Sequence, residues 1–293
     1  MRRGGGSPNI LRMHVTAKSL AVLPHVDAAL SYLAPTTDRR PIRYAGRLAQ
    51  EPPPDAATYE RCRVQIRDAR PIADVVSLDE EGFQLVPHRT AVGDFWNDQA
   101  VRRLYYPEME ALIADLAGAS WAFVFDHTLR RRVFGLPDRT PGAPRQPAME
   151  VQVGYTELSA PKRVRELTGQ AAASLLGRRF AIVSAWRPIR GPLHDAPLAL
   201  CDARSTAPHD LVATDLIGRA RVDEAYSVTW NPHHRWLYFP GMRPDEVLLF
   251  KGYDSSADDV ARFVPHAAFE DPSAPADRLI QESIEVTALV FFR

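Results

Sequence analysis

The sequence predicts a mainly β chain with flanking helices (α+β), its core a jelly-roll or double-stranded β-helix. Three observations lead there. Twenty-five prolines against 16 glycines leave little room for long helices, because proline removes a backbone donor and breaks helices and central strands alike. Short apolar or alternating runs outnumber helical patterns, and the helical patterns fall between strands in the first half, an order that suits a barrel with helices packed outside it. The chain closes on an apolar run from Val247 to Phe250, a polar turn from Lys251 to Ser255, Arg262 to His266, and an alternating strand from Glu282 to Val286. In that arrangement two neighbouring late strands each deliver a polar side chain to one barrel interior.

Taken in order, residues 1 to 60 read as an N-terminal arm packing on a barrel domain of residues 61–293. Pro35, Pro41 and Pro52–Pro54 interrupt the arm, so it is expected as a strand and loops. Arg63–Asp68 alternates and reads as a strand, followed by a turn at Asp79–Gly82 into Phe83–Pro87. Pro107 at a helix start, with Met109, Leu112, Ile113 and Leu116 at helical spacing, predicts a helix to Ala117 that Gly118 stops. Trp121–Phe125 is a buried strand that leads into Asp126-His127-Thr128-Leu129-Arg130-Arg131. Residues 135–147 form a proline-rich loop, and Met149–Tyr155 a strand. A second helix is expected from Ala160 to Leu176, with Val164, Leu167, Ala171 and Leu175 on one face and Gly177 at its end. Phe180–Trp186 is a strand, and Ala225–Trp230 and Trp236–Pro240 read as a pair joined by Asn231-Pro232-His233-His234.

Composition narrows the function classes. The chain has 293 residues, 45% of them hydrophobic, 25% charged, with formal net charge zero. It therefore carries no basic field for nucleic acid or an anionic membrane surface. Two cysteines, Cys62 and Cys201, are too few for a disulfide framework and suit a reducing compartment. The longest apolar stretches are too short to span a bilayer. No apolar segment follows the basic Met1–Gly6 start, which speaks against a signal peptide. A cytoplasmic protein is expected, with neither nucleic acid nor membrane as partner.

Several phrases together resemble the CmcJ/AsaB/NvfI-type hydroxylase and desaturase family: Val124-Phe125-Asp126-His127-Thr128, Trp186-Arg187-Pro188-Ile189, Pro197–Ser205, Asn231–Asp245, Tyr253-Asp254-Ser255 and Pro265-His266 through Ile284-Glu285-Val286. They stand in family order from about residue 60 to the end. The resemblance implies a cupin-like double-stranded β-helix that uses non-haem iron and 2-oxoglutarate to oxidise small molecules in secondary metabolism. Such enzymes hold iron on a facial triad of two histidines and one carboxylate, leaving positions open for cosubstrate and dioxygen. By that resemblance the first two ligands come as His-x-Asp, the third is a later histidine, and an Arg-x-Ser beyond it holds the cosubstrate carboxylate.

Carried onto this chain, the later histidine is His266. The His-x-Asp positions hold Gln152 and Gly154, and the Arg-x-Ser positions hold Gln281 and Ser283. A glycine at the carboxylate position also occurs in related halogenases, but with both histidines and the arginine kept. An amide is a poor substitute for imidazole on Fe(II), and it cannot make arginine's two-pronged contact with a carboxylate. The expectation is therefore no metal and no cofactor, with Fe(II) and 2-oxoglutarate as the alternative.

On that expectation His266, Tyr155, Arg187 and Lys251 are the catalytic candidates, and Gln152, Gly154, Gln281, Ser283 and Trp186 line the substrate site. His266 offers an imidazole with an ordinary pKa of ~6.5 for acid–base work, weighed evenly against a leftover side chain satisfied by its neighbours. Gln152 and Gln281 either bind a substrate or fill a vacated cavity. Arg187 and Lys251 offer an oxyanion clamp, against ion pairs with Asp202, Asp254 or Glu285. Tyr155 offers a proton but strand tyrosines commonly pack. His127 beside Asp126 weighs toward a structural hydrogen bond. Adjacent His233-His234 diverge too much for a metal pair, and Trp121, Trp186, Trp230 and Trp236 read mostly as core.

The leading expectation is a secondary-metabolism enzyme whose barrel promotes a redox-neutral cyclisation, isomerisation or elimination of a small natural-product intermediate by orientation and acid–base groups. The alternatives are an active hydroxylase or desaturase with an atypical iron site, recruiting a ligand such as His194 or Glu150, and a non-catalytic ligand-binding partner. A homodimer is left open.

Overall fold

A computed structural model of the chain describes residues 15–35, 40–44, 53–138, 140, 142–217, 222–257 and 260–293. Two curled sheets face each other. The larger has nine strands, β1 (His25–Leu33), β2 (Ile42–Tyr44), β3 (Tyr59–Asp68), β6 (Gln152–Val153), β8 (Leu198–Cys201), β9 (Leu211–Ile217), β10 (Val222–Val228), β11 (Trp236–Tyr238) and β13 (His266–Ala268). Its spatial order is β1-β3-β11-β8-β13-β6-β10-β9-β2. The smaller sheet runs β4 (Phe83–Pro87), β12 (Glu246–Asp254), β7 (Phe180–Pro188), β14 (Glu282–Phe291) and β5 (Trp121–Arg131). This is the expected mainly β, cupin-like architecture.

Period-two alternation sorts the smaller sheet's side chains. Val183 and Ala185, with Val247, Leu249, Ile284, Val286 and Ala288, turn outward onto the helix α2 (Tyr106–Ala117), the counterpart of a short α1 (Ala17–Ala21) ahead of β1, through Tyr106, Met109 and Ile113. Trp186, Leu248, Phe250 and Phe83 turn inward to meet Leu200, Leu237 and Val264. α2 ends as expected, with Gly118 at φ 61° supplying the left-handed cap. Arg63–Asp68 lies within β3, which pairs along its length with β1 from the N-terminal segment.

Four expectations are corrected. The second helix is broken: α3 (Ser159–Thr168) and α4 (Ala172–Leu176) are separated at Gly169, whose φ of 53° no continuous helix tolerates. The Met149–Tyr155 strand shrinks to β6 because only Gln152 and Val153 find ladder partners there. Ala225–Trp230 and Trp236–Pro240 are not a hairpin; β10 pairs with β9 and β6, and β11 with β3 and β8. β5 continues six residues past Phe125 to Arg131 because β14 pairs with it throughout.

Candidate active site

Register brings five strands to one buried chamber. On β13, His266 stands directly opposite Gln152 of β6. On β14, Ser283 and Glu285 share an inward face, opposite Pro188 and Trp186 of β7 and opposite Arg130 and Thr128 of β5. The resulting chamber measures about 20 Å³ and is lined by Arg130, Gln152, Trp186, His266, Gln281 and Glu285 among others. That is room for one water-sized or ion-sized occupant.

Each polar group in it has a definite orientation. His266 Nδ1 lies 3.0 Å from the Val264 carbonyl. A carbonyl only accepts, so Nδ1 carries the proton and Nε2 presents its lone pair to the chamber. Burial pulls the His266 pKa below the ordinary range, while Glu285 and the Val264 carbonyl oppose it and Arg130 adds to it; the ring is neutral at pH 7. The Ser184 hydroxyl donates to Glu285 Oε1 at 2.9 Å. Gln281 Nε2 donates to Ser283 Oγ at 2.7 Å. Gln281 itself is 1% exposed, and its Oε1 has no hydrogen-bond partner. Gln152 Oε1 accepts from Arg43 Nη1.

The chamber opens past Arg130, Ala148 and Gln152 into a cleft of about 580 Å³. Charged side chains dominate the cleft, with Arg43, Arg145, Lys162 and Arg163 facing Asp126, Glu150, Glu166 and Asp223. Gly154 lies on its wall, where an added Cβ would meet nothing within 4 Å.

The structure thus gathers His266, Gln152, Gln281 and Trp186 around the chamber, with Ser283 behind Gln281 through its hydrogen bond and Gly154 and Tyr155 on the cleft. Tyr155 is half-buried, packed edge-on to Phe125, and desolvation raises its pKa, so its phenol stays protonated. Arg187 and Lys251 do not belong to the site. Both fall on the outward parity of their strands, Arg187 opposite Ile284 and Lys251 opposite Val183. Arg187 donates to His88 and lies over the Tyr105 ring. Lys251 Nζ is paired with Asp79 and Asp254 at 2.8 Å each, so the ion-pair alternative holds for it. His127 Nδ1 is 2.9 Å from the Tyr106 hydroxyl, a contact between β5 and α2 outside the chamber. His234 is bound to Asp210 and Tyr32 within the larger sheet's packing. Of the tryptophans, Trp186 and Trp236 are buried, whereas Trp121 and Trp230 are exposed. Glu150 pairs with Arg43 on the cleft wall, and His194 packs near Gly241, so neither reaches the chamber lining.

Sequence reasoning missed Arg130, Ser184 and the inward role of Glu285. The signal was present: carried past Phe125, β5's alternation sets Asp126, Thr128 and Arg130 on one face, and all three line the cleft.

Residues 30–291 match the family described as oxidoreductase/YMDC permease-like domain. The chain belongs to that family. It is 34% identical over 257 residues to hydroxylase/desaturase efuI of Hormonema carpetanum, covering 80% of this chain and 85% of that one. It is 31% identical over 247 residues to Fe(II)/2-oxoglutarate-dependent dioxygenase nvfI of Aspergillus novofumigatus, covering 78% and 83%. Among solved structures it resembles the iron and alpha-ketoglutarate-dependent endoperoxidase NvfI with a TM-score of 0.82, 27% identity, and coverage of 92% and 98%. Among the described residues no helix is long and apolar enough to cross a membrane.

These likenesses bear out the family and the fold, and they overturn two expectations. A metal-independent, redox-neutral cyclase or isomerase and a cofactor-free site are contradicted, because the relatives are named Fe(II)/2-oxoglutarate-dependent dioxygenases and hydroxylases. The residue types of Gln152, Gly154 and Gln281 do not by themselves decide what the chamber can hold. The chamber as a whole gives a different answer. Among the described residues no three His, Cys, Asp or Glu side chains converge. The chamber is nevertheless lined by His266, Glu285 and Gln281, whose Oε1 has no hydrogen-bond partner, with Gln152 beside them. Imidazole, carboxylate and amide oxygen are donors that a borderline divalent ion accepts. An unsatisfied buried acceptor is costly unless something fills its lone pair. These residues fit Fe(II), on a donor set that differs from two histidines and a carboxylate.

Proposed function

We propose that this chain is an Fe(II)/2-oxoglutarate-type oxidoreductase, a hydroxylase or desaturase, acting on a small natural-product intermediate in the charged cleft. One observation carries the reading: the free nitrogen of His266, the Glu285 carboxylate and the unpartnered oxygen of Gln281 surround an ion-sized chamber in a chain whose relatives are named iron- and 2-oxoglutarate-dependent. His266, Glu285 and Gln281 would hold the ion, with Gln152 as a further oxygen donor. When bound, iron and 2-oxoglutarate supply the oxidising power.

The chain's own residues supply positioning. The Val264 carbonyl fixes the His266 tautomer, a backbone contact that orients a ligating imidazole. Ser184 and Ser283 fix Glu285 and Gln281 in turn. Trp186 walls the chamber on its apolar side. The cleft admits a molecule of ordinary ligand size, and its charged walls favour a polar one. The unpaired cysteines support a reducing, cytoplasmic setting.

Assay of 2-oxoglutarate consumption by the purified chain, with and without added Fe(II), tests the proposal. Iron-dependent consumption, abolished in His266→Ala, is expected. A chain that consumes no 2-oxoglutarate at any Fe(II) concentration contradicts it.

A further inference from the structure

We infer that Arg130 is the anchor for a ligand carboxylate, placed where chamber and cleft meet. The inference rests on the reading above only in taking this chamber as the reaction site.

Every other arginine or lysine on the cleft wall has a carboxylate partner. Arg43 pairs with Glu150 at 3.5 Å, Arg145 with Asp138 at 2.9 Å, Lys162 with Glu166 at 3.7 Å, and Arg163 with Glu166 at 2.8 Å. Arg130 has none within 4.0 Å among the described residues. Its one side-chain hydrogen bond runs from Nη1 to the Gln146 carbonyl at 2.7 Å, which leaves most of a five-donor fork unused. A guanidinium drawn out of water without a counter-ion is costly. Glu285 and Asp138 offset part of that cost through space, but neither binds the guanidinium: Asp138 is engaged by Arg145 and the Gln146 amide, and Glu285 is bound by Ser184.

Placement gives the vacancy a purpose. Arg130 lines both the chamber and the cleft, so an anion resting on it extends toward His266 on one side and solvent on the other. It stands opposite Ser283 in the β5–β14 register. A planar fork beside a serine hydroxyl suits a carboxylate held through two hydrogen bonds. The carboxylate has two chemical sources, a 2-oxo acid cosubstrate or an acid group on the organic substrate.

Calorimetric titration of the full chain with 2-oxoglutarate, and separately with benzoate, distinguishes them. Loss of one charged two-pronged contact in Arg130→Gln weakens binding on the order of tenfold to a hundredfold. Arg130→Lys is expected to fall between, and Arg243→Gln, at a surface cation paired with Asp245 away from the cleft, to bind as the wild type does. Dependence of 2-oxoglutarate binding on Arg130 assigns the site to the cosubstrate; dependence of benzoate binding alone assigns it to the substrate. Should Arg130→Gln not fold, dicarbonyl labelling of the wild-type arginines gives the same answer, with Arg130 protected by the ligand. Wild-type binding of neither acid, equal binding by Arg130→Gln, no protection of Arg130, or equal weakening by Arg243→Gln would overturn the inference. Carboxylate binding through Arg130 in a chain that takes up no Fe(II) keeps the inference and removes the iron chemistry.

Discussion

His266 is the residue on which the site turns, and its setting makes a sign-definite prediction. His88, His127 and His234, like His266, have pKa values lowered chiefly by burial. Between those lowered values and the unfolded value of ~6.5 the unfolded chain binds more protons, so stability is full above ~6.5 and declines as pH falls through the window. Melting temperature measured from about pH 7.5 to about pH 5 should therefore fall toward the acid end. A flat profile would mean these rings are solvated. Gln152 and Gly154 give a second test. The space in front of Gly154 accepts a side chain, so Gln152→His with Gly154→Asp adds an imidazole and a carboxylate without crowding. Fe(II) affinity of the double variant, read by anaerobic titration, should exceed the wild type by at least an order of magnitude, as added charged donors do for divalent ions. His266 was legible in the sequence through the resemblance, which places a later histidine ahead of the Arg-x-Ser positions. Arg130 was not, because its meaning depends on partners absent from its own strand.

At the scale of elements, parity and glycine decide most outcomes. Gly82 sits at φ 90°, and a Cβ there would come within 2.4 Å of Val264 Cγ2. Val264 holds the His266 ring through its carbonyl, so Gly82→Ala strains the turn and disturbs the site together. A stability loss of about 2 kcal/mol is expected by thermal or denaturant unfolding, with weakened metal binding; a variant as stable as wild type would contradict the close approach. Arg187 belongs to the outer layer, where its Nε and Nη1 have no partner. Arg187→Ala should cost about 2–3 kcal/mol through lost packing and leave carboxylate binding unchanged, while Arg187→Met, which keeps the stem, should stay nearer wild type. The α2 helix and its glycine stop could be read from periodicity alone. The break at Gly169 and the true partners of β10 and β11 could not, because strand pairing here joins residues far apart in sequence.

At the scale of the molecule, two sheets of unlike character divide the work. The smaller sheet packs its outward face on α2 and turns polar side chains inward along β5 and β14. The larger sheet contributes His266 and Gln152 at its middle, where β13 and β6 meet. The fold class followed from proline content and strand order; the chamber needed the register of five strands, which no single stretch of sequence carries. Anaerobic titration of the full chain with Co(II), followed by its visible absorption, tests the central claim most directly. Uptake of a single equivalent, lost in His266→Ala and weakened in Glu285→Gln, is the predicted result; no uptake by the wild type, or uptake indifferent to both substitutions, would contradict it.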